Sequence, residues 1–101
     1  MFGRNRYAEI VDRQLELFAE EHRDLIDEVH DRLAAYNRAD RSEAEELYGD
    51  YRDSLEAGTE ILADMRDNYA STLDDPDLYL RAFQRGVARR LGPFSLELEN
   101  R

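Results

Sequence analysis

The stretch YAEIVDRQLELFAEEHRDLIDEVHDRLAAY, Tyr7 to Tyr36, decides the fold class. Its apolar residues fall at Val11, Leu15, Phe18, Leu25, Val29, Leu33 and Tyr36, with Ile10 and Ile26 widening the stripe. The steps alternate between three and four residues, the repeat that lines one face of an α-helix, and His22 fills the polar slot in the seam. A half-buried strand would alternate at every second residue, and this stretch does not. The pattern predicts one helix over residues 6–36, about 45 Å long, with Asn5 as its N-cap.

Downstream, the polar break Asn37-Arg38-Ala39-Asp40-Arg41 ends that seam. Ser42-Glu43-Ala44-Glu45 then reads as a capping box, in which a hydroxyl and a carboxylate each satisfy an orphan backbone N–H. A second seam follows at Ala44, Tyr48, Tyr51, Leu55, Gly58, Leu62, Met65, Tyr69 and Thr72, predicting a helix over 42–73. Two long helices joined by so short a break fold back antiparallel. Asp75 and Pro76 suit the start of a third helix over 76–91, which carries Leu78, Tyr79, Leu80, Phe83, Val87 and Leu91 and stops at Gly92-Pro93. The tail, residues 93–101, alternates apolar Phe94, Leu96 and Leu98 with polar neighbours and is expected to be extended. The expectation is thus one all-α domain over residues 1–101, a long antiparallel helical hairpin with a shorter third helix.

Composition narrows the function classes. The chain has 101 residues, of which 38% are charged, and a net charge of −10. It has no cysteine, which excludes disulfides, thiolate nucleophiles and Cys-ligated zinc. All 14 basic residues other than His are Arg. Strong net acidity disfavours nucleic acid as a partner. No stretch approaches the roughly 18 apolar residues of a membrane span, and residues 1–6 lack the apolar run of a signal peptide, so a cytoplasmic location is expected. Charge is also segregated: residues 42–77 carry twelve acids against Arg52 and Arg66, whereas residues 78–93 carry Arg81, Arg85, Arg89 and Arg90 and no acid. The third helix is expected to dock on the acidic second one.

Length raises a further expectation. A third helix of about 16 residues spans about 24 Å, roughly half of the hairpin. The rest of the seam would have one neighbour only. A homodimer that completes a bundle is expected to cover it.

Few constellations could carry chemistry. His22 lies on the seam beside Phe18, Leu25 and Ile26, and in a hairpin it falls opposite Gly58; it reads as a core or interface histidine hydrogen-bonded across the seam. His30 stands three residues after Asp27, and folding the hairpin brings Glu46 and Asp50 toward it. Asp27, His30, Glu46 and Asp50 make a carboxylate–imidazole set of the kind that holds a divalent metal between helices, although no cofactor is required by the remainder of the sequence. Asp27-x-x-His30 resembles the Glu-x-x-His of the encapsulated ferritin-like proteins, which implies a dimeric hairpin around iron. Glu20-Glu21-His22-Arg23-Asp24, followed by Glu46-Leu47-Tyr48-Gly49-Asp50, resembles the acidic motifs of the MazG-type nucleotide pyrophosphohydrolases, which implies magnesium held over a triphosphate. The stripe Arg81, Arg85, Arg89 suits either an acidic partner or the chain's own acids. Phe94, Leu96 and Leu98 in an extended tail suit a partner's sheet edge or groove. Nothing resembles a nucleophile elbow or a phosphate-cradling glycine loop. The function expected from these residues is that of a non-enzymatic, self-associating helical interaction module, with a divalent-metal helical bundle as the alternative.

Overall fold

Heptad spacing, the turn at Asp40 and the Gly92-Pro93 pair produce five helices among the described residues: α1 (Ala8–Glu21), α2 (Arg23–Asn37), α3 (Ala44–Ala70), α4 (Asp77–Arg90) and α5 (Gly92–Glu99). This is a computed structural model, and it describes residues 6–101. The protein is all-α, with no strand among the described residues. Asn5, the expected first cap, lies outside them.

The long first helix is broken at His22, whose backbone sits at φ −126°, ψ 33°. Neither Gly nor Pro stands at the break. Tertiary packing explains it, because the two halves serve different neighbours: α1 packs on α4, and α2 packs along α3. The expected single first helix is thus two, of which α2 lies along α3 and α1 against α4. The expected seam residues Val11, Leu15, Phe18 and Val29 are all buried, and the interruption falls at the polar slot between them.

The turn between α2 and α3 is held differently from the expected capping box. Asp40 Oδ1 accepts from the Ser42 hydroxyl at 2.7 Å, from Ser42 N–H at 3.0 Å and from Glu43 N–H at 3.1 Å. Ser42 thus donates to Asp40 instead of capping α3, since a carboxylate outcompetes a hydroxyl as acceptor. The Ser42 hydroxyl, followed by the two backbone donors, holds the Asp40 carboxyl below its ordinary value. At the next turn Asp75 Oδ1 accepts from Asp77 N–H at 3.2 Å, a start signal where one was expected.

Tyr79 shows how α4 meets α1. Its hydroxyl donates to Gln14 Oε1 at 2.9 Å, while Arg90 at the far end of α4 reaches the Asp12 carbonyl at 3.3 Å and its carboxylate at 3.5 Å. Tyr79 also meets Tyr7 at 5.7 Å, and Leu91 just past the other end of α4 shares a groove with Leu15, Ala19 and Glu20, so the two helices pack along one another. Gly86 marks a close approach between them: a Cβ there would stand 2.8 Å from Val11 Cγ1 and 3.0 Å from Leu15 Cδ1. The basic helix therefore pairs with Asp12 of α1, and no ion pair joins it to acidic α3 among the described residues. This corrects the expected complement between the two.

Burial pushes the Tyr79 phenol up to about 12, against a smaller lowering by Gln14. The folded state thus favours the neutral phenol over its ordinary value of 10.0. The associated stability is fully present below pH 10 and is lost as pH rises through 12, a loss of up to roughly 2 kcal/mol. Urea midpoints measured across that window should fall steeply in the wild type and less steeply in Tyr79→Phe; equal slopes would remove Tyr79 as the cause.

The tail is a helix, not an extended strand. Pro93 occupies the first turn of α5, where its missing N–H is no loss, so Gly92-Pro93 opens a helix as well as closing one. Phe94 and Leu98, one turn apart, are both fully buried, while Leu96 on the opposite side is 71% exposed. Phe94 meets Phe18 edge-on at 6.1 Å, and its ring lies on Gly58, where a Cβ would stand 2.4 Å from the ring edge. One side chain of the tail thereby joins α1, α3 and α5.

The result is a rod of 51 × 23 × 23 Å. Its radius of gyration, 15.3 Å, exceeds the about 13 Å of a compact chain of this length. The layer formed by α4 and α5 covers one part of the rod. Beyond it, α2 and the first half of α3 form a two-helix arm in which only Val29 is fully buried before Ser54.

Candidate functional site

The four expected metal ligands are not brought together. Asp27, His30, Glu46 and Asp50 are all exposed, and among the described residues no group of three or more His, Asp or Glu side chains is placed to hold one ion. Helical phase explains this. Val29, Leu33 and Tyr36 turn α2 toward α3, and the three- and four-residue steps that bury them leave the acids outside. Arg32 occupies the flank instead, pairing with Glu28 at 2.5 Å and donating to the Asp50 carbonyl at 2.7 Å. Glu20, Glu21 and Asp24 are likewise exposed around the break at His22. His22 is half-buried, and its ring packs on Phe18 at 5.2 Å. It contacts an aromatic side chain where a hydrogen bond across the seam was expected.

The interior offers no free polar group. Thr59 is fully buried and donates to the Leu55 carbonyl at 2.8 Å; Ser54 donates to the Tyr51 carbonyl at 2.9 Å. Among the described residues no buried side-chain polar atom lacks a partner. Such serine and threonine back-bonding satisfies a helix interior without creating a site.

Features that face outward remain, and the arm carries the most distinctive one. Tyr36 and Tyr48 stand 5.2 Å apart between ring centroids, and Tyr48 and Tyr51 6.2 Å apart. Tyr48 is 45% exposed. Arg52, one turn further along α3, forks onto α5, its two nitrogens lying 2.6 Å and 3.3 Å from the two Glu97 oxygens. That hydrogen-bonded pair holds the Glu97 carboxyl below its ordinary value. Burial, then the neighbouring Tyr48, pushes the Tyr51 phenol up, with Glu97 adding in the same direction. Tyr48 and Arg52 share a helix face at four-residue spacing. The tyrosines therefore lie on the side of the hairpin that α5 covers further along, on a shelf left open where α5 ends.

The outer side of the α4–α5 layer forms a second surface. Arg81 and Arg85 are exposed and make no ion pair among the described residues. Leu78, 46% exposed, lies on the same stripe, and Leu96 projects from α5. Of the expected partner residues, Phe94 and Leu98 thus belong to the core, because an eight-residue helix turns every fourth position inward; Leu96 stays at the surface. A third feature is a groove of about 450 Å³ lined by Ile10, Gln14 and Leu17 of α1 and by Tyr69, with Glu9 and Arg13 at its rim.

Among the described residues no helix is long and apolar enough to cross a membrane. No protein-family model matches the chain, and neither the curated proteins nor the solved structures give a significant match.

The acids' dispersal was foreseeable from helical phase. The tyrosine shelf was not, because its exposure follows from where α5 ends, and the alternating tail concealed that helix.

Proposed function

We propose that this protein is a non-enzymatic helical interaction module that works by associating with itself. The observation that carries this reading is the half-covered hairpin. Along α3 the layer α4–α5 buries Leu55, Gly58, Leu62 and Ala63, and where that layer ends the aromatic seam continues with Tyr51 half-buried and Tyr48 exposed. Tyrosine suits a surface that is alternately wet and covered, since its ring buries area while its hydroxyl keeps a polar partner. A helix pair with one open face gains stability when a further helical layer supplies the missing contacts.

Sedimentation velocity across a concentration series tests the reading. A dimer that dissociates on dilution is the expected result. A monomer at every concentration, with unchanged helicity, would refute self-association and leave the exposed seam without a use.

A further inference from the structure

Two surfaces of this rod are complementary, and they adjoin along its length, the one beginning where the other stops. One is the tyrosine shelf on the arm; the other is the outer side of the α4–α5 layer. Three of the four exposed large apolar side chains among the described residues belong to them: Tyr48 on the shelf, Leu78 and Leu96 on the layer. Their charges are opposite as well. Residues 23–51, which make the arm, carry nine acids against four arginines, whereas α4 presents Arg81 and Arg85, which make no ion pair among the described residues.

Both surfaces also belong to one side of the hairpin. Arg52 shares the Tyr48 face and pairs with Glu97 of α5 at 2.6 Å, and Gln84 of α4 donates to the Ser95 carbonyl of α5 at 2.9 Å. The layer is therefore a step on the same side as the shelf. A stepped rod has a simple self-complement: a second copy turned end for end, whose step fills the first copy's shelf.

We propose that two copies associate antiparallel about one two-fold axis, the tyrosine shelf of each taking the outer, arginine-bearing face of the other's α4–α5 layer. This rests on the self-association reading above and names the surfaces that perform it. The two-fold makes every contact twice and closes the assembly at two chains, whereas a one-sided contact of the same surfaces would propagate into a filament. Area supports closure too. Half of a 51 × 23 Å face is on the order of 600 Å², and the symmetry doubles it, which exceeds the about 800 Å² that each partner of a stable complex buries. Arg81 and Arg85 set against the acidic arm favour the antiparallel register over shelf-to-shelf pairing, which would bring two acidic arms together.

A charge-swap experiment tests the arrangement by native mass spectrometry and sedimentation. One variant carries Arg81→Glu and Arg85→Glu, the other Glu45→Arg and Tyr48→Arg. All four residues are exposed, so circular dichroism should show both variants folded. Each alone should dimerise about a hundredfold more weakly than wild type or worse, because like charges then meet at both contacts. Mixed one to one, they should form a heterodimer, since one contact keeps its original charges and the other has both reversed. Added salt should weaken the wild-type dimer. A wild-type dimer that survives both sets of substitutions would overturn this arrangement while leaving self-association standing. Two variants that dissociate but do not recombine would overturn it as well, as would assembly of the wild type beyond two chains. A wild-type monomer would instead remove the reading on which it rests.

Discussion

Deleting residues 94–101 is expected to abolish most of the helical signal of the domain, and Phe94→Ala alone to lower stability by about 3–5 kcal/mol. The ring of Phe94 is fully buried, edge-on to Phe18 at 6.1 Å and with one edge against Gly58, so it bridges two helices that make little direct contact with each other. Its removal leaves a cavity at the one place where α1, α3 and α5 meet. Leu98, also fully buried, goes with it in the deletion, as does the Arg52–Glu97 pair. Small domains are stable by only about 5–15 kcal/mol, so a loss of this size consumes much of the total. Circular dichroism and urea unfolding of both variants decide the matter. A truncated chain that stays fully helical and cooperative would mean that α5 only decorates the surface and that α1–α4 suffice for a core.

Residues whose environment is set within one or two turns were legible in the sequence. Val11, Leu15, Phe18 and Val29 on the first seam, and Leu55, Gly58 and Leu62 on the second, are buried as their spacing requires. The turn at Asp75 before α4 was likewise legible, because its hydrogen bond from Asp77 N–H is local. Three features were not. The break at His22 has no local breaker and arises from the competing claims of α4 on α1 and of α3 on α2. The direction of the arginine stripe depends on how α4 packs against α1, which periodicity along one helix does not encode; α4 turns Arg89 and Arg90 to Asp12, and Arg81 and Arg85 away from the body. The tail misled because Phe94, Leu96 and Leu98 fit both periods over so short a run. As a strand all three share a face, and as a helix Leu96 falls opposite the other two. Packing chose the helix, since Gly58 leaves a seat for Phe94 that only one of the two geometries fills from above while burying Leu98 beside it. The candidate metal ligands failed for a reason already present in the pattern: residues at the seam's edges face away from the partner that would complete the set.

Gly58→Ala is expected to destabilise the protein by about 1–3 kcal/mol, the reverse of what helix propensity alone gives. In an open helix the exchange stabilises by about 1 kcal/mol, because glycine loses more backbone entropy on folding than alanine. Gly49, also within α3, is the internal control: a Cβ there meets nothing within 4 Å, so Gly49→Ala should stabilise by about that amount. At Gly58 the added carbon would stand 2.4 Å from Phe94 Cε1 and 3.0 Å from Cζ. A flexible chain end could step aside, but this ring is fully buried and has Phe18 against it. Either the ring turns off its rotamer or α5 lifts from α3, and each loses packing that the propensity gain does not offset. The cause can be isolated with a double-mutant cycle. Phe94→Leu keeps the site apolar but removes the ring atoms that clash, so Gly58→Ala should become close to neutral or stabilising in that background. The expected coupling is about 2 kcal/mol, read from urea midpoints at constant slope. An equal loss in both backgrounds would exonerate the ring and place the strain in α3 itself. A large coupling would establish that the glycine is the seat of the aromatic side chain on which three helices converge.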